Sequence, residues 1–254
     1  MVTGASAGIG EATVRALRAS GWDVVGVARR ADRLEALDAE VGSTSFAADL
    51  TVAADVDALA SFLAGGPLHA LVHVAGGARG VDRIESASAA DWQWMFEVNV
   101  LSAQRLTAAL LPQLRRAAAS DGHADTLYVT STAAQAAYPG GAGYNAAKAG
   151  ESMLVHGLRL ELNGEPIRVT EIAPGMVHTE EFTLKRLGGD REGAAKLYEG
   201  VEEPLVAEDV ADVIAYALNA PRRVNLDLVT MRPVAQSAQH LLARGPLRVR
   251  GVED

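Results

Sequence analysis

Short apolar runs rich in Val, Leu and Ala alternate along the chain with longer stretches in which apolar residues return at helical spacing. A run without polar alternation reads as a strand buried on both faces, and its regular alternation with helices reads as βαβ units around a parallel sheet. The pattern predicts strands at Trp22–Ala28, Ser43–Ala48, His69–Ala75, Thr126–Ser131, Ile167–Ala173 and Leu226–Met231. Helices are expected from Gly8 onward, over Arg33–Glu40 and Val52–Leu63, through one long stretch from Trp92 to Ala119, over Tyr144–Leu162 and over Ala207–Leu218. A strand must precede the Gly8 helix, yet only Met1 and Val2 represent it, so native residues upstream of Met1 are expected. No repeat, low-complexity tract or linker interrupts the alternation, which predicts a single α/β domain over residues 1–254. The stretch 176–206 breaks the rhythm, being charged, glycine-containing and longer than a tight connection requires. It is expected to be a substrate lid, with a disordered surface excursion as the alternative.

Composition narrows the classes. A length of 254 residues suits one large domain, and 49% apolar with 22% charged residues is enough for a substantial core. Cysteine is absent, which excludes disulfides, thiol nucleophiles and zinc–thiolate sites and fits a cytoplasmic compartment. No apolar run approaches the roughly 18 residues of a membrane span, and the opening "MVTGASAGIG" lacks the basic and apolar regions of an export signal. With 32 acidic against 23 basic side chains, the net charge of -9 opposes a phosphate-backbone binder, so no nucleic-acid partner is expected. None of the six histidines has a convincing carboxylate partner in sequence, and no metal is expected.

"TGASAGIG" places Gly4, Gly8 and Gly10 between a strand and a helix. Glycines there permit a tight turn and a close backbone approach to a pyrophosphate, whose charge the helix N-terminus meets. Alone, an ordinary glycine turn explains the stretch equally well. About twenty residues on stand Ala28, Arg29 and Arg30. An acidic residue there would accept from a ribose hydroxyl, whereas arginine suits a 2′-phosphate through charge-assisted contacts, which favours NADP over NAD. Arginine doublets also occur at Arg115-Arg116 and Arg222-Arg223. Asp49, ending the third strand, either reaches the adenine edge or caps the helix that follows.

In "YNAAK", Tyr144 and Lys148 are four apart and share one face of a helix. A phenol titrates near pH ~10, and a neighbouring ammonium favours the phenolate, making tyrosine an acid or base usable near neutrality. Ser131, 13 positions earlier, ends a predicted strand at the sheet edge where such folds gather their sites. Its hydroxyl either holds a substrate carbonyl oxygen or forms a turn. The flanking "VTSTA" lacks the glycines of a hydrolase nucleophile elbow. Asn99 is a poor helix former inside a predicted helix, which points to a kink or a water site, or to simple solvation. His73 is either a packed structural residue or a proton carrier. For an acidic substrate, Lys185, Arg186 and Arg191 are candidate carboxylate partners, with a solvated charged loop as the alternative. Gln135 and Tyr138, just after Ser131, are further candidates for the pocket.

In this order and spacing the glycine turn, Asn99, Ser131, Tyr144 and Lys148 resemble a short-chain dehydrogenase/reductase, over Val2 to about Gln236. The resemblance implies a Rossmann-type doubly wound parallel sheet flanked by helices on both faces, a nicotinamide cofactor and a homotetramer. It implies a tetrad in which Tyr144 is the general acid or base, Lys148 holds the nicotinamide ribose and stabilises the phenolate, Ser131 orients the carbonyl and Asn99 keeps a water. Cofactor contacts are implied at Gly4, Ser6, Gly8, Ile9, Gly10, Arg29, Arg30, Asp49, Leu50, Ala75 and Gly76, with Pro174, Gly175, Val177 and Thr179 around the nicotinamide. The stretches "RVTEIAPGMVHTEEF", "AEDVADVIAYALNAP" and "VNLDLVTMRPVAQS" are similar to NADP-dependent 3-hydroxy acid dehydrogenases acting on serine or allo-threonine, and also to reductases of larger carbonyl compounds. Where the family usually has Asn-Asn-Ala-Gly, this chain has His73-Val74-Ala75-Gly76, losing two amides that brace neighbouring strands. The expected function is hydride transfer between NADP(H) and a secondary alcohol or carbonyl. The alternative is a catalytically idle dinucleotide-binding regulator or scaffold of the same fold.

Overall fold

The computed structural model describes residues 1–179, 181–249 and 251. Glu180, within the stretch expected to be a lid, and residues 250 and 252–254 of the expected domain lie outside them. In chain order the strands are β1 (Val2–Thr3), β2 (Val25–Ala28), β3 (Thr44–Ala47), β4 (Ala70–His73), β5 (Ala124–Val129), β6 (Ile167–Pro174), β7 (Val177–His178), β8 (Leu205–Val206), β9 (Leu228–Met231), β10 (Gln236–Ala238) and β11 (Leu241–Leu242). The helices are α1 (Gly8–Ala19), α2 (Ala31–Val41), α3 (Ala53–Phe62), α4 (Ala89–Phe96), α5 (Ser102–Asp121), α6 (Ala142–Glu161), α7 (Phe182–Arg186), α8 (Arg191–Tyr198) and α9 (Ala207–Asn219).

Seven strands join one parallel sheet in the order β3-β2-β1-β4-β5-β6-β9. This is the expected doubly wound Rossmann-type sheet. β1 is only two residues long, yet it pairs on both sides, with Val2 opposite Gly26 and Val72. One apolar core packs α3, α5 and α6 on the sheet through Leu59, Leu106, Leu110 and Val155. The other packs α1, α2 and α9 on the opposite face through Val14, Leu17, Leu34 and Ile214. The central strands β1, β4, β5 and β6 are buried along their whole length because both faces are covered, and the polar side chains they carry, Asp125 and Arg168 among them, are buried with them.

The expected long helix is interrupted. Between α4 and α5 lies a π-helical turn, Glu97–Leu101, with Asn99 fully buried inside it. The Asn99 amide donates to the carbonyls of Met95 at 2.7 Å and Gly77 at 2.9 Å, and its oxygen accepts from the Gly77 N–H at 3.1 Å. A side chain that bonds its own helix and a neighbouring loop stabilises such a widened turn. The kink reading of Asn99 therefore holds, and the solvated one does not.

β5 begins two residues before its expected start because Asp125 has a partner across the sheet. The Arg168 guanidinium meets the Asp125 carboxylate with contacts of 2.6 and 3.0 Å, and it donates to the carbonyls of Leu218 and Ala220 at 2.9 and 3.0 Å. This buried fork ties β5, β6 and the end of α9 together. Among the described residues, no helix is long and apolar enough to cross a membrane, and no group of three or more His, Cys, Asp or Glu is placed to hold a metal.

Removing one partner of a buried ion pair strands the other charge, at a cost of about 3 to 5 kcal/mol. Asp125→Ala is expected to lower stability by that amount in urea denaturation; a loss below about 1 kcal/mol would make the pair no stronger than a surface one.

Candidate active site

Strand order reverses between β1 and β4, so the loops leaving their carboxyl ends diverge and open a crevice. The cleft there has a volume of about 1040 Å³. Its floor is bare backbone. Gly4 and Gly8 adopt left-handed φ of +69° and +55°, and a Cβ on Gly10 would overlap the Gly4 carbonyl. A Cβ on Gly4 would lie 3.1 Å from the Ala75 nitrogen, so this turn and the exit of β4 approach as closely as backbones can. Ser6, Ile9, Ala75 and Gly76 border the cleft with these glycines, as do Arg29, Arg30, Asp49, Leu50, Pro174, Gly175, Val177 and Thr179. A glycine cradle at the N-terminus of α1 fits a pyrophosphate.

At the β2 end, Arg30 donates through Nε to the Ser6 hydroxyl at 3.1 Å and through Nη2 to the same oxygen at 3.0 Å. Its Nη1 meets the Glu181 carboxylate at 2.6 Å. That hydrogen bond outweighs partial burial, and with Lys185 it holds the Glu181 carboxyl at a pKa of about 2. The fork of Arg30 thus already grips an anion, the Glu181 carboxylate. Arg29 is mostly exposed, 3.8 Å from Asp49. Asp49 does not cap α3. Its carboxylate accepts from the Thr51 N–H and hydroxyl at 3.0 and 2.7 Å and shapes the intervening turn.

Tyr144, on the first turn of α6, is buried and borders the cleft with Ser131, which follows β5. Lys148 and Asn99 stand behind the cleft wall. A Cβ on Gly76 would lie 2.5 Å from the Asn99 Oδ1 and 3.5 Å from the Lys148 Nζ. The structure thus gathers all four tetrad residues around Gly76 and the end of β5, two on the wall and two beneath it. The Lys148 ammonium donates to the Val129 carbonyl at 3.2 Å and to the Glu151 carboxylate at 2.6 Å.

This electrostatic balance differs from the sequence expectation. Burial raises the Tyr144 pKa above the ordinary phenol value, outweighing the opposing pull of Lys148 and of hydrogen bonding to Ser131. Burial also works against the Lys148 charge, but Glu151, Tyr144 and Glu171 together hold its pKa above that of an ordinary lysine. Lys148 is therefore a firmly charged group, shared between a phenol in front and a carboxylate behind.

The substituted His73-Val74 pair is absorbed structurally. His73 stacks on Tyr128 with ring centroids 4.3 Å apart, its Nε2 is 3.2 Å from the Thr107 hydroxyl, and burial pushes its pKa down to about 3. It is a neutral packing residue. His69, four residues earlier, pairs with Asp121 at 2.9 Å. The backbone of this segment is tied to β1 by Thr3, whose hydroxyl oxygen accepts from the N–H groups of Val74 and Ala75, both at 2.9 Å.

Of the substrate candidates, Tyr138, Lys185 and Arg186 border the cleft and Gln135 does not. The Gln135 amide instead donates to the Thr230 hydroxyl at 2.8 Å. The Arg186 guanidinium lies 5.4 Å from the Tyr144 ring centre and donates to the Tyr138 hydroxyl at 2.8 Å. Lys185 is paired with Glu181, and Arg191 begins α8 outside the cleft wall. Sequence reasoning missed Trp94, Phe182, Gln236 and Gln239, which also border the cleft. It missed Glu151 too, although a carboxylate three positions after Lys148 carries the same one-face signal as Tyr144 four positions before it.

The family model described as short chain dehydrogenase matches residues 1–187. A Mycobacterium tuberculosis (strain H37Rv) protein described as an uncharacterized oxidoreductase is 48% identical over 248 residues, spanning 98% of this chain and 96% of that protein. Serine 3-dehydrogenase of Rhizobium radiobacter is 38% identical over 244 residues, spanning 93% of this chain and 94% of the relative. The closed form of serine dehydrogenase complexed with NADP+ superposes with a TM-score of 0.86 at 33% identity, over 96% of this chain and 98% of that one. With this match, its parallel sheet and its glycine-floored cleft, the chain belongs to the short-chain dehydrogenase/reductase family and is an oxidoreductase.

Proposed function

We propose that this oxidoreductase is NADP-dependent and acts on the hydroxyl/carbonyl pair of a small 3-hydroxy acid. The observation that carries the reading is the buried Tyr144 phenol beside Ser131 in a cleft that also holds an arginine fork at each end, Arg30 and Arg186. When bound, the nicotinamide donates or accepts the hydride. Ser131 holds the substrate oxygen, and Tyr144 gives or takes the proton at that oxygen. Lys148 opposes the desolvation of the phenol by its charge. Two of its three N–H donors are used by Val129 and Glu151, which leaves one for a ribose hydroxyl. Asn99 holds the π turn under Gly76 and keeps the backbone shape at which a water can be retained.

Three features support the finer parts. Arg30 with Ser6 forms an anion fork at the end of β2, as a 2′-phosphate requires, and an NADP+ complex is among the similar structures. The stretch 176–206 contributes Phe182 and Arg186 to the cleft, which supports its reading as a substrate lid that excludes water. Arg186, with no carboxylate partner among the described residues, lies over Tyr144 where a substrate carboxylate would reach it, and a relative is named serine 3-dehydrogenase. Exposed Phe96, Leu101, Met153 and Leu160 support a homotetramer, which light scattering checks, and the absence of cysteine supports a cytoplasmic setting.

Assays with serine, 3-hydroxypropionate and neutral alcohols, each with NADP+ and NAD+, test the reading. Tyr144→Phe is expected to lower kcat by about a hundredfold or more with NADPH binding retained; an unchanged rate overturns the assignment. Arg30→Ala is expected to raise KM for NADP+ about tenfold and to leave NAD+ nearly unaffected, and equal effects would remove the 2′-phosphate contact. Arg186→Ala is expected to raise KM for the acids far more than for neutral alcohols; a uniform rise would place the carboxylate elsewhere.

A further inference from the structure

Behind the cleft the molecule buries two carboxylates beside the Lys148 ammonium. Glu151 lies on α6 one turn beyond Lys148 and is 1% exposed, and Glu171 on β6 is fully buried. Glu151 meets the Lys148 ammonium at 2.6 Å. One Glu171 oxygen accepts from the Thr130 hydroxyl at 2.7 Å, and the other lies 3.1 Å from the Nε2 of half-exposed His156. Two carboxylates in an apolar interior are costly unless paired, and Glu151 has the ammonium of the proposed proton-transfer site as its partner. The titratable groups acting on Glu151 are Lys148 and Tyr144 on its own helix, Tyr128 on β5 and Glu171 on β6, with His156 on the outer side of Glu171.

We propose that Glu151 is a positioning residue acting through Lys148: it anchors the ammonium beneath Gly76 and offsets part of the positive field that the Tyr144 phenol would otherwise feel. The inference rests on the reading of Tyr144 as the proton donor and acceptor. Its consequence is a pH range of action displaced toward alkali. A bare ammonium would favour the phenolate, whereas a salt-bridged one presents a dipole whose field falls off faster with distance. Loss of the carboxylate charge, with Lys148 still protonated beside Glu171, brings the phenolate within reach at lower pH. For unit charges separated by several ångströms at a protein-like dielectric, the expected displacement is about one pH unit.

The test reads Tyr144 ionisation directly, without substrate or cofactor. Phenolate absorbance is titrated for the parent protein and for Glu151→Gln, each minus its Tyr144→Phe counterpart, so that the difference belongs to Tyr144 alone. Glutamine keeps an acceptor for Lys148 while removing the charge. The Tyr144 midpoint is expected to fall by about one unit in Glu151→Gln and to stay near the parent value in Glu151→Asp, which keeps the charge. An unchanged or raised midpoint in Glu151→Gln, or an equal fall in Glu151→Asp, overturns the proposal. Should Glu151→Gln not fold, Glu151→Met carries the same expectation. A chain that folds with aspartate but with neither uncharged residue assigns Glu151 a purely structural role and also overturns it. Turnover retained by Tyr144→Phe would remove the functional reading while leaving the titration interpretable, so the two failures are distinguishable.

Discussion

Between β1 and β4 the chain leaving Thr3 runs so close to the exit of β4 that a Cβ on Gly4 would press on Ala75, and the turn folds back so tightly that a Cβ on Gly10 would overlap the Gly4 carbonyl. Everything at the site follows from that contact. Thr3 ties the two loops by accepting from the Val74 and Ala75 N–H groups, and the bare turn lets α1 point its N-terminus into the cleft. The same loop brings Gly76 down onto Asn99 and Lys148, so the glycine turn and the support beneath the phenol belong to one packed unit. The π turn around Asn99 is the local adjustment that lets the α4–α5 region meet this loop with its buried amide satisfied.

The electrostatics of the site are decided by burial before they are decided by charge. A lysine one helical turn away favours a phenolate, but the phenol is desolvated in the same interior that strengthens the attraction, and desolvation wins. Low dielectric acts on both sides of the balance. It makes the Lys148–Glu151 pair strong at 2.6 Å and so divides the field of the ammonium between two neighbours. A single charged side chain in such a place has little meaning apart from what is packed behind it.

Segments remote in sequence complete the cleft. The stretch after β6 delivers Glu181 to the Arg30 fork and Arg186 to the ring of Tyr144, so one short span carries a charge to each end. Gln236, from the C-terminal strands, accepts from the Met176 N–H at 2.9 Å and links the start of that span to the far end of the chain. The Arg30 fork and the 176–206 stretch are thereby joined by one ion pair, Arg30–Glu181.

Much of this was legible in the residues alone. Apolar runs alternating with helical periods determined the parallel sheet, since strand and helix periods are local properties of a dozen residues. The glycine spacing marked the turn, because absence of a Cβ is a constraint any sequence displays. The Tyr144–Lys148 interval marked one face of α6 as the side turned toward the cleft, because helix geometry converts a separation of four into adjacency. Other features were decided only by tertiary structure: the break at Asn99, the extension of β5 by the Asp125–Arg168 pair, the neutral packing of His73 and the turning of Gln135 toward Thr230. The direction of the Tyr144 shift and the claim of Glu151 on Lys148 were decided there as well. Each depends on which distant groups are brought together and how much water is excluded around them, and neither quantity is written in the spacing of residues along the chain.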